Sequence, residues 1–333
     1  MPEFNQTSEN LFNHTLQAYL NIQQTNLIRK SELIEASDLI QSPIDQLYIS
    51  SEANQITGAY KIRGAYNKID GLSEKQKRLG IITASAGNHS QAVALLAKEM
   101  DIPLTIVMPE STPDFKLDRV KMYADEDATI ILEGSNFDEA EEYAHLIAIQ
   151  DYLTMIHPFD DFDIMAGQGT WAVEIAKQVH NLDTIYIPFG GGGLLGGVAN
   201  FIKNINPSIR IVAVEPEGAA SLTLALKEGK PSTLDTIDTF IDGASVKKIG
   251  ELVFDLITEN NLVDDVTTVT NEEVKEALIR LRNRKSPINS ELAGALSYAA
   301  YLKDVKKSLG ERVLCLVTGG NISEKRYSEE VAI

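Results

Sequence analysis

The stretch IPFGGGGLLGGVAN, Ile187 to Asn200, sets four consecutive glycines, Gly190 to Gly193, between a strand-like apolar run and a helical one. Glycine lets a backbone approach an anion closely, and a helix start offers unpaired N–H donors and a positive dipole end. Ordering four flexible residues is costly, so a use as an anion cradle outweighs a plain tight turn. The spacing Gly191-x-Gly193-x-x-Gly196, with Glu215 further on, also satisfies the dinucleotide fingerprint. A string of this kind meets many glycine patterns by accident, and a carboxylate ending a strand is as often a turn residue as a ribose ligand. No Gly-x-x-x-x-Gly-Lys-Ser/Thr loop accompanies it, which argues against a P-loop nucleotide site. Two further glycine turns, SAGNHS (Ser85–Ser90) and TGGN (Thr318–Asn321), also follow strand-like runs.

Those turns need strands and helices to position them. GIITAS precedes GNHSQAVALLAKEM, LTIVMPE precedes TPDFKLDRVKMYA, TIILEG precedes NFDEAEEYAHLIAIQD, and RIVAVEPEG precedes AASLTLALKEG. TNEEVKEALIRLRN reads as a helix and RVLCLVTGG as a late buried strand. Short apolar strands alternating with helices predict an α/β fold, a mostly parallel sheet covered on both faces. Ligands of such sheets sit beyond the carboxyl ends of the strands. The three glycine turns are therefore expected to converge on one cleft. No fixed-period repeat or linker marks a domain boundary.

The formal net charge is −18 over 333 residues, which argues against nucleic acid and anionic membranes as partners. An anionic ligand must be held locally, against this global field. The single cysteine, Cys315, forms no internal disulfide, and no Cys/His spacing suggests a metal. The N-terminal residues lack a signal pattern and no run reaches a membrane span, so the expectation is a cytoplasmic protein. His14, His145 and His180 fall in helical patterns and read as structural or surface groups; His157 reads as a packing or hydrogen-bonding residue. Cys315 and Trp171 read as core, and Asp125–Asp127 as a solvated face.

QITGAYKIRGAYNKI (Gln55–Ile69) and TASAGNHSQAVA (Thr83–Ala94) resemble the lysine motif and the asparagine loop of the fold-type-II pyridoxal-phosphate enzymes. Within that family the resemblance is to the threonine/serine dehydratases. It continues through HPFDDFDIMAGQGTWAVEI, IPFGGGGLLGG, VAVEPEG, DGASVKKIGEL, ELAGALSYAAYL and LVTGGNI, and so covers most of the chain from about residue 50 onward. It implies pyridoxal 5′-phosphate as cofactor, with Lys61 as the lysine that captures its aldehyde and acts as general base. It implies that Asn88 bonds the ring hydroxyl, that Gly190, Gly191, Gly192, Gly193 and Leu194 cradle the phosphate, and that Thr318 faces the pyridine nitrogen, where the family usually has serine. Gly243 and Glu291 would line the cofactor ring. Ser85, Ala86, Gly87, Asn88 and His89 would clamp the substrate carboxylate.

The implied reaction is β-elimination of L-threonine or L-serine to a 2-oxo acid and ammonia. For that chemistry burial must bring the Lys61 amine well below the ordinary lysine value. Serine racemase is a near relative, but its second base would fall on Ala86, and its metal ligands on Glu215, Ala219 and Ser221, with one carboxylate absent. Tyr60 stands where Phe is usual, Ala59 where Ser is common, and Phe162 and Leu292 where Pro is usual. A non-catalytic ligand-binding homologue is the remaining alternative, since an NAD-dependent dehydrogenase would leave Lys61 and Asn88 without a role. By analogy the lobes are a large cofactor-binding one, 1–79 and 157–333, and a small substrate-clamping one, 80–156. The expected form is the short one without a regulatory domain, as a homodimer or homotetramer.

Overall fold

The computed structural model describes residues 5–40, 46–304 and 311–331; the outermost ends of the expected large lobe lie outside the described residues. The strands are β1 (Glu32–Glu35), β2 (Gln46–Ser51), β3 (Ile81–Ala84), β4 (Leu104–Met108), β5 (Thr129–Leu132), β6 (Thr154–Met155), β7 (Thr184–Pro188), β8 (Arg210–Pro216), β9 (Asp265–Val269) and β10 (Arg312–Val317). The main helices are α1 (Gln6–Ile22), α2 (Lys61–Asp70), α3 (Glu74–Leu79), α4 (Asn88–Glu99), α5 (Asp114–Tyr123) and α6 (Phe137–Asp151). They continue with α7 (Phe162–Gln178), α8 (Gly193–Ile205), α9 (Ser221–Glu228), α10 (Glu251–Glu259), α11 (Asn271–Arg282) and α12 (Leu292–Asp304).

Two sheets result. One has the order β1-β2-β10-β7-β8-β9, parallel except for the antiparallel edge pair β1–β2. The other has the order β5-β4-β3-β6 and is wholly parallel. Successive side chains point to opposite faces, and both faces are covered, which explains why the central strands β7, β8 and β10 are mostly apolar. Ile185, Ile187, Ile211, Ala213, Leu314 and Leu316 pack on the face covered by α7 and α8. Their neighbours Tyr186, Val212, Val214, Val313, Cys315 and Val317 pack on the face covered by α11 and α12. The smaller sheet divides likewise: Ile81, Leu104, Ile106 and Met108 face α4, while Ile82, Ala84 and Val107 face α6.

Several single-residue expectations meet their surroundings here. Cys315 is fully buried and burial pushes its thiol well above the usual range, so it is a core residue rather than a nucleophile. Trp171 is fully buried and its indole N–H donates to Ser50 Oγ at 2.9 Å. His157 accepts the backbone N–H of Phe159 and Asp160 at Nδ1 and pairs with Glu141 at Nε2. His180 departs from the helical expectation: Val179 takes an extended conformation (φ −122°, ψ 124°), so α7 stops at Gln178 and His180 is exposed in the following connection. Glu215 stands near the end of β8, and its carboxylate takes Leu222 N–H, Thr223 N–H and Thr223 O–H, and so caps α9.

Candidate active site

The three glycine turns lie at the carboxyl ends of β3, β7 and β10, and all three line one cavity of about 260 Å³. Every site residue expected from the sequence lines it: Lys61, Ser85 to His89, Gly190 to Leu194, Gly243, Glu291 and Thr318. Asn321, Tyr60 and Phe159 join them.

Lys61 is the first residue of α2, and that helix is fixed from several sides. Tyr60 N–H donates to Thr318 O at 3.0 Å, and Ala59 bridges Gly319, so the start of α2 is stitched to the third glycine turn. Gly58 precedes this stitch at φ +74°, a conformation that glycine adopts without strain. Further along, α2 crosses α7 at backbone distance. A Cβ on Gly167 would lie 2.6 Å from Arg63 O, and one on Gly64 would lie 2.8 Å from Ile164 O. Arg63, fully buried, bonds both Glu52 and Glu174, with Nε to Glu52 Oε2 at 2.7 Å and Nη1 to Glu174 Oε1 at 3.0 Å. The Lys61 amine itself donates to Pro158 O at 2.6 Å. Burial disfavours its charged form and brings it down to about 8.

The tetraglycine turn is shaped by packing as much as by any ligand. A Cβ on Gly191 would lie 2.3 Å from the Phe159 ring, and one on Gly193 would lie 2.5 Å from Phe159 O. Gly192 sits at φ +94°. The consequence is a row of donors: the N–H groups of Gly190, Gly191, Gly192, Gly193 and Leu194 have no protein acceptor among the described residues. They sit at the start of α8, where the helix dipole adds to their field.

The Ser85–His89 loop forms a second nest at the start of α4. Ser85 Oγ accepts Gly87 N–H at 3.1 Å, while the N–H groups of Ala86, Asn88 and His89 have no protein acceptor among the described residues. Asn88 is held at both ends of its amide. Its Nδ2 donates to Glu291 Oε1 at 2.7 Å, and its Oδ1 accepts from Asn321 Nδ2 at 2.7 Å. Asn321 is in turn pinned to Thr57 O at 2.8 Å. The orienting role of Asn321 was not foreseen, although TGGN placed it in the right turn; no spacing rule predicts a bond across 233 residues. Burial, with Asp242 nearby, pushes the Glu291 carboxyl up to about 7. The Thr318 hydroxyl makes no hydrogen bond within the described residues. At the cavity mouth Asp242 pairs with Lys116 of α5 and Arg326, which links the two sheets' sides of the cleft.

A family model described as pyridoxal-phosphate dependent enzyme matches residues 24–319. The chain belongs to this family. The L-threonine ammonia-lyase of Thermotoga maritima is 38% identical over 312 residues, covering 92% of this chain and 76% of that protein. The solved structure of the processed form of threonine deaminase isoform 2 from Solanum lycopersicum superposes with a TM-score of 0.89 at 35% identity, covering 99% of this chain and 94% of that one. Maize serine racemase superposes with a TM-score of 0.87 at 32% identity, covering 96% of both chains. The α/β architecture with helices on parallel sheets is thus that of the fold-type-II pyridoxal-phosphate enzymes.

The cavity's donor set fits pyridoxal 5′-phosphate. A phosphate needs several converging donors, and five unpaired amides at a helix start provide them. An aldehyde needs an amine whose neutral form is accessible, and Lys61 has one. A second set of free amides stands at Ala86, Asn88 and His89, separate from the first, and suits a carboxylate. Among the described residues no cluster of three or more His, Cys, Asp or Glu could hold a metal ion. No helix among them is long and apolar enough to cross a membrane.

Proposed function

We propose that the chain is an ammonia-lyase that removes the β-hydroxyl of L-threonine and L-serine, releasing 2-oxobutyrate or pyruvate with ammonia. The observation that carries this reading is the convergence, in one cavity, of a depressed-pKa amine and two separate sets of unpaired amides. Pyridoxal phosphate supplies the aldehyde that captures the substrate amine and the ring that withdraws electrons from Cα. The residues of the chain supply position and proton transfer.

In this reading the amides of Gly190 to Leu194 hold the phosphate, and Asn88, fixed by Asn321 and Glu291, holds the ring hydroxyl. Gly243 and Glu291 line the ring. The Ser85–His89 loop takes the substrate carboxylate and so presents Cα toward Lys61. Lys61 Nζ, once free, takes the Cα proton; a value of about 8 leaves an accessible share of neutral amine near neutral pH. The β-hydroxyl would then depart as water, taking its proton from the cofactor phosphate or a bound water. Thr318 offers the pyridine nitrogen a neutral hydroxyl instead of a carboxylate. That restrains the positive charge on the ring, which favours prompt elimination over amino-group transfer.

Residues 80–156, which contain the smaller sheet, are proposed as the mobile substrate-clamping lobe, whose closure excludes water. The rest would form the cofactor-binding lobe, in a cytoplasmic homodimer or homotetramer. Racemisation is the second reading, favoured by the likeness to maize serine racemase. Ala86 weighs against it, because it carries no titratable group at the position the resemblance gives to a second base. Incubation of the holoprotein with L-threonine and L-serine, with assays for 2-oxo acid and D-serine, separates the readings. Rapid 2-oxo acid release with negligible D-serine is expected; D-serine as the main product, or no turnover, would refute the proposal.

A further inference from the structure

Asp242 is a junction between the two sides of the cleft. It lies in the connection from α9 to α10, on the larger sheet's side. Its carboxylate gives one oxygen to each side. Oδ2 takes Lys116 Nζ, from α5 beside the smaller sheet, and Oδ1 takes Arg326 Nη1 at 3.2 Å. Arg326 is itself pinned to Phe240 O at 2.6 Å. Burial alone would raise the Asp242 carboxyl, but the charges of Lys116 and Arg326 outweigh it and hold it below the usual carboxylate range. A second ion pair ties the same connection to the same side: Lys247 Nζ stands 3.8 Å from Asp138 Oδ2 of α6.

Between these ties the chain runs along the cavity, with Asp242, Gly243, Ala244, Ser245 and Val246 in its lining. Gly243 makes no hydrogen bond of its own among the described residues. It is held by packing: a Cβ there would lie 2.9 Å from Ala293 Cβ, and one on Gly190 would lie 3.1 Å from Ala244 Cα. Local turn bonds, Ala244 N–H to Ile241 O at 2.9 Å and Ser245 Oγ to Asp238 O at 2.8 Å, close the segment on itself. The carboxylate of Asp242, next to Gly243, joins it to the opposite side of the cleft.

We infer that Asp242 is a positioning residue: through Lys116 it couples the approach of the smaller sheet's side to the seating of Gly243 against the cofactor ring. The inference rests on the proposed closure of residues 80–156 and on Gly243 lining that ring. When the sides part, Lys116 is withdrawn and Asp242 keeps Arg326 alone. When they meet, the second cation returns and the segment is held from both sides. The Lys116 side chain is 20% exposed and that of Asp242 35%, so the pair adds a modest bias that salt weakens. A pair of that strength opens readily for substrate entry, which a fully buried one resists.

Lys116→Gln and Lys116→Arg in the full-length protein test this; glutamine removes the charge and arginine keeps it. The separation of the two sides is read without substrate, by pulsed electron paramagnetic resonance between spin labels at Ile149→Cys of α6 and Leu226→Cys of α9. Both positions are exposed, and the native Cys315 is fully buried. KM and kcat for threonine, and the visible circular dichroism of the bound cofactor, are measured beside it. Lys116→Gln is expected to lengthen the label distance, alter the dichroism and raise KM about fivefold at low salt, the upper end for a partly exposed pair, with kcat within about twofold. Threonine carries no net charge, so salt should raise the wild-type KM through the ion pair and leave that of Lys116→Gln nearly flat. Lys116→Arg should behave as wild type in every readout. A raised KM with unchanged distance and dichroism would make Lys116 a plain substrate contact and overturn the inference, as would a Lys116→Gln protein unchanged throughout. The label distance needs no turnover, and wild-type threonine turnover reports separately on the proposed function.

Discussion

Replacing Arg63 by methionine tests how the Lys61 helix is held. The guanidinium is fully buried and bonds two carboxylates, so one positive charge faces two negative ones. Glu52 receives Nε at 2.7 Å and Nη2 at 3.1 Å, while Glu174 receives Nη1 at 3.0 Å and Nη2 at 3.1 Å. Ser31 adds a hydroxyl and an amide to the same carboxylates. Methionine fills most of the volume but leaves both carboxylates buried without a counter-charge. Breaking a buried pair in this way costs about 3–5 kcal/mol, a large share of the roughly 5–15 kcal/mol that stabilises a typical domain. Glu174→Gln is the control. It leaves one positive and one negative charge with most hydrogen bonds intact, so its cost should be about 1–3 kcal/mol. Urea unfolding of the cofactor-free protein, followed by circular dichroism, measures both. Because Arg63 lies two residues beyond Lys61, loss of the anchor should also weaken cofactor retention more than Glu174→Gln does. A loss below about 1 kcal/mol for Arg63→Met, or a larger loss for Glu174→Gln, would refute the reasoning.

Gly191→Ala drives a Cβ to 2.3 Å from the Phe159 ring, so the ring or the turn must shift; overpacking of this kind costs about 1–3 kcal/mol and should weaken cofactor binding at least tenfold by spectral titration. Lys61 gives a pH signature in the cofactor-free protein. Its folded value of about 8 lies below the unfolded 10.5, so its burial destabilises fully below about pH 8 and is relieved as pH rises toward 10.5. Lys61→Met should remove that rise in urea midpoint between pH 8 and 10.5; an unchanged slope would show that another group causes it. Thr318→Asp should raise the share of amino-group transfer among the products, scored as cofactor lost to its amine form per 2-oxo acid made, and an unaltered ratio would count against the electronic role of Thr318.

The fold was legible because its strands are buried on both faces and its helices follow each strand in order. The cleft was legible because three glycine-bearing turns end β3, β7 and β10. Less was visible in the packing. Arg63 meets Glu174 across 111 residues, and Asn321 meets Asn88 across 233. Only the folded chain brings such pairs together. The glycine run was read as an anion cradle. Phe159 supplies a further reason for Gly191 and Gly193 that no glycine pattern encodes, since it excludes a Cβ at both positions. Lys61 itself was singled out by resemblance, not by spacing; what distinguishes it physically is a half-buried amine at the start of α2, facing the cavity beside Pro158 O, which sequence does not display. Glu215 fitted a ribose-binding pattern, yet its three hydrogen bonds go to the start of α9.

The central claim is that the amine of Lys61 is joined to the aldehyde of pyridoxal phosphate. Borohydride reduction of the yellow holoprotein, followed by peptide mass spectrometry, tests it most directly. The account predicts a single phosphopyridoxyl group on Lys61, with the visible absorbance lost from Lys61→Ala. A label on a different lysine, or full threonine deamination by Lys61→Ala, would contradict it.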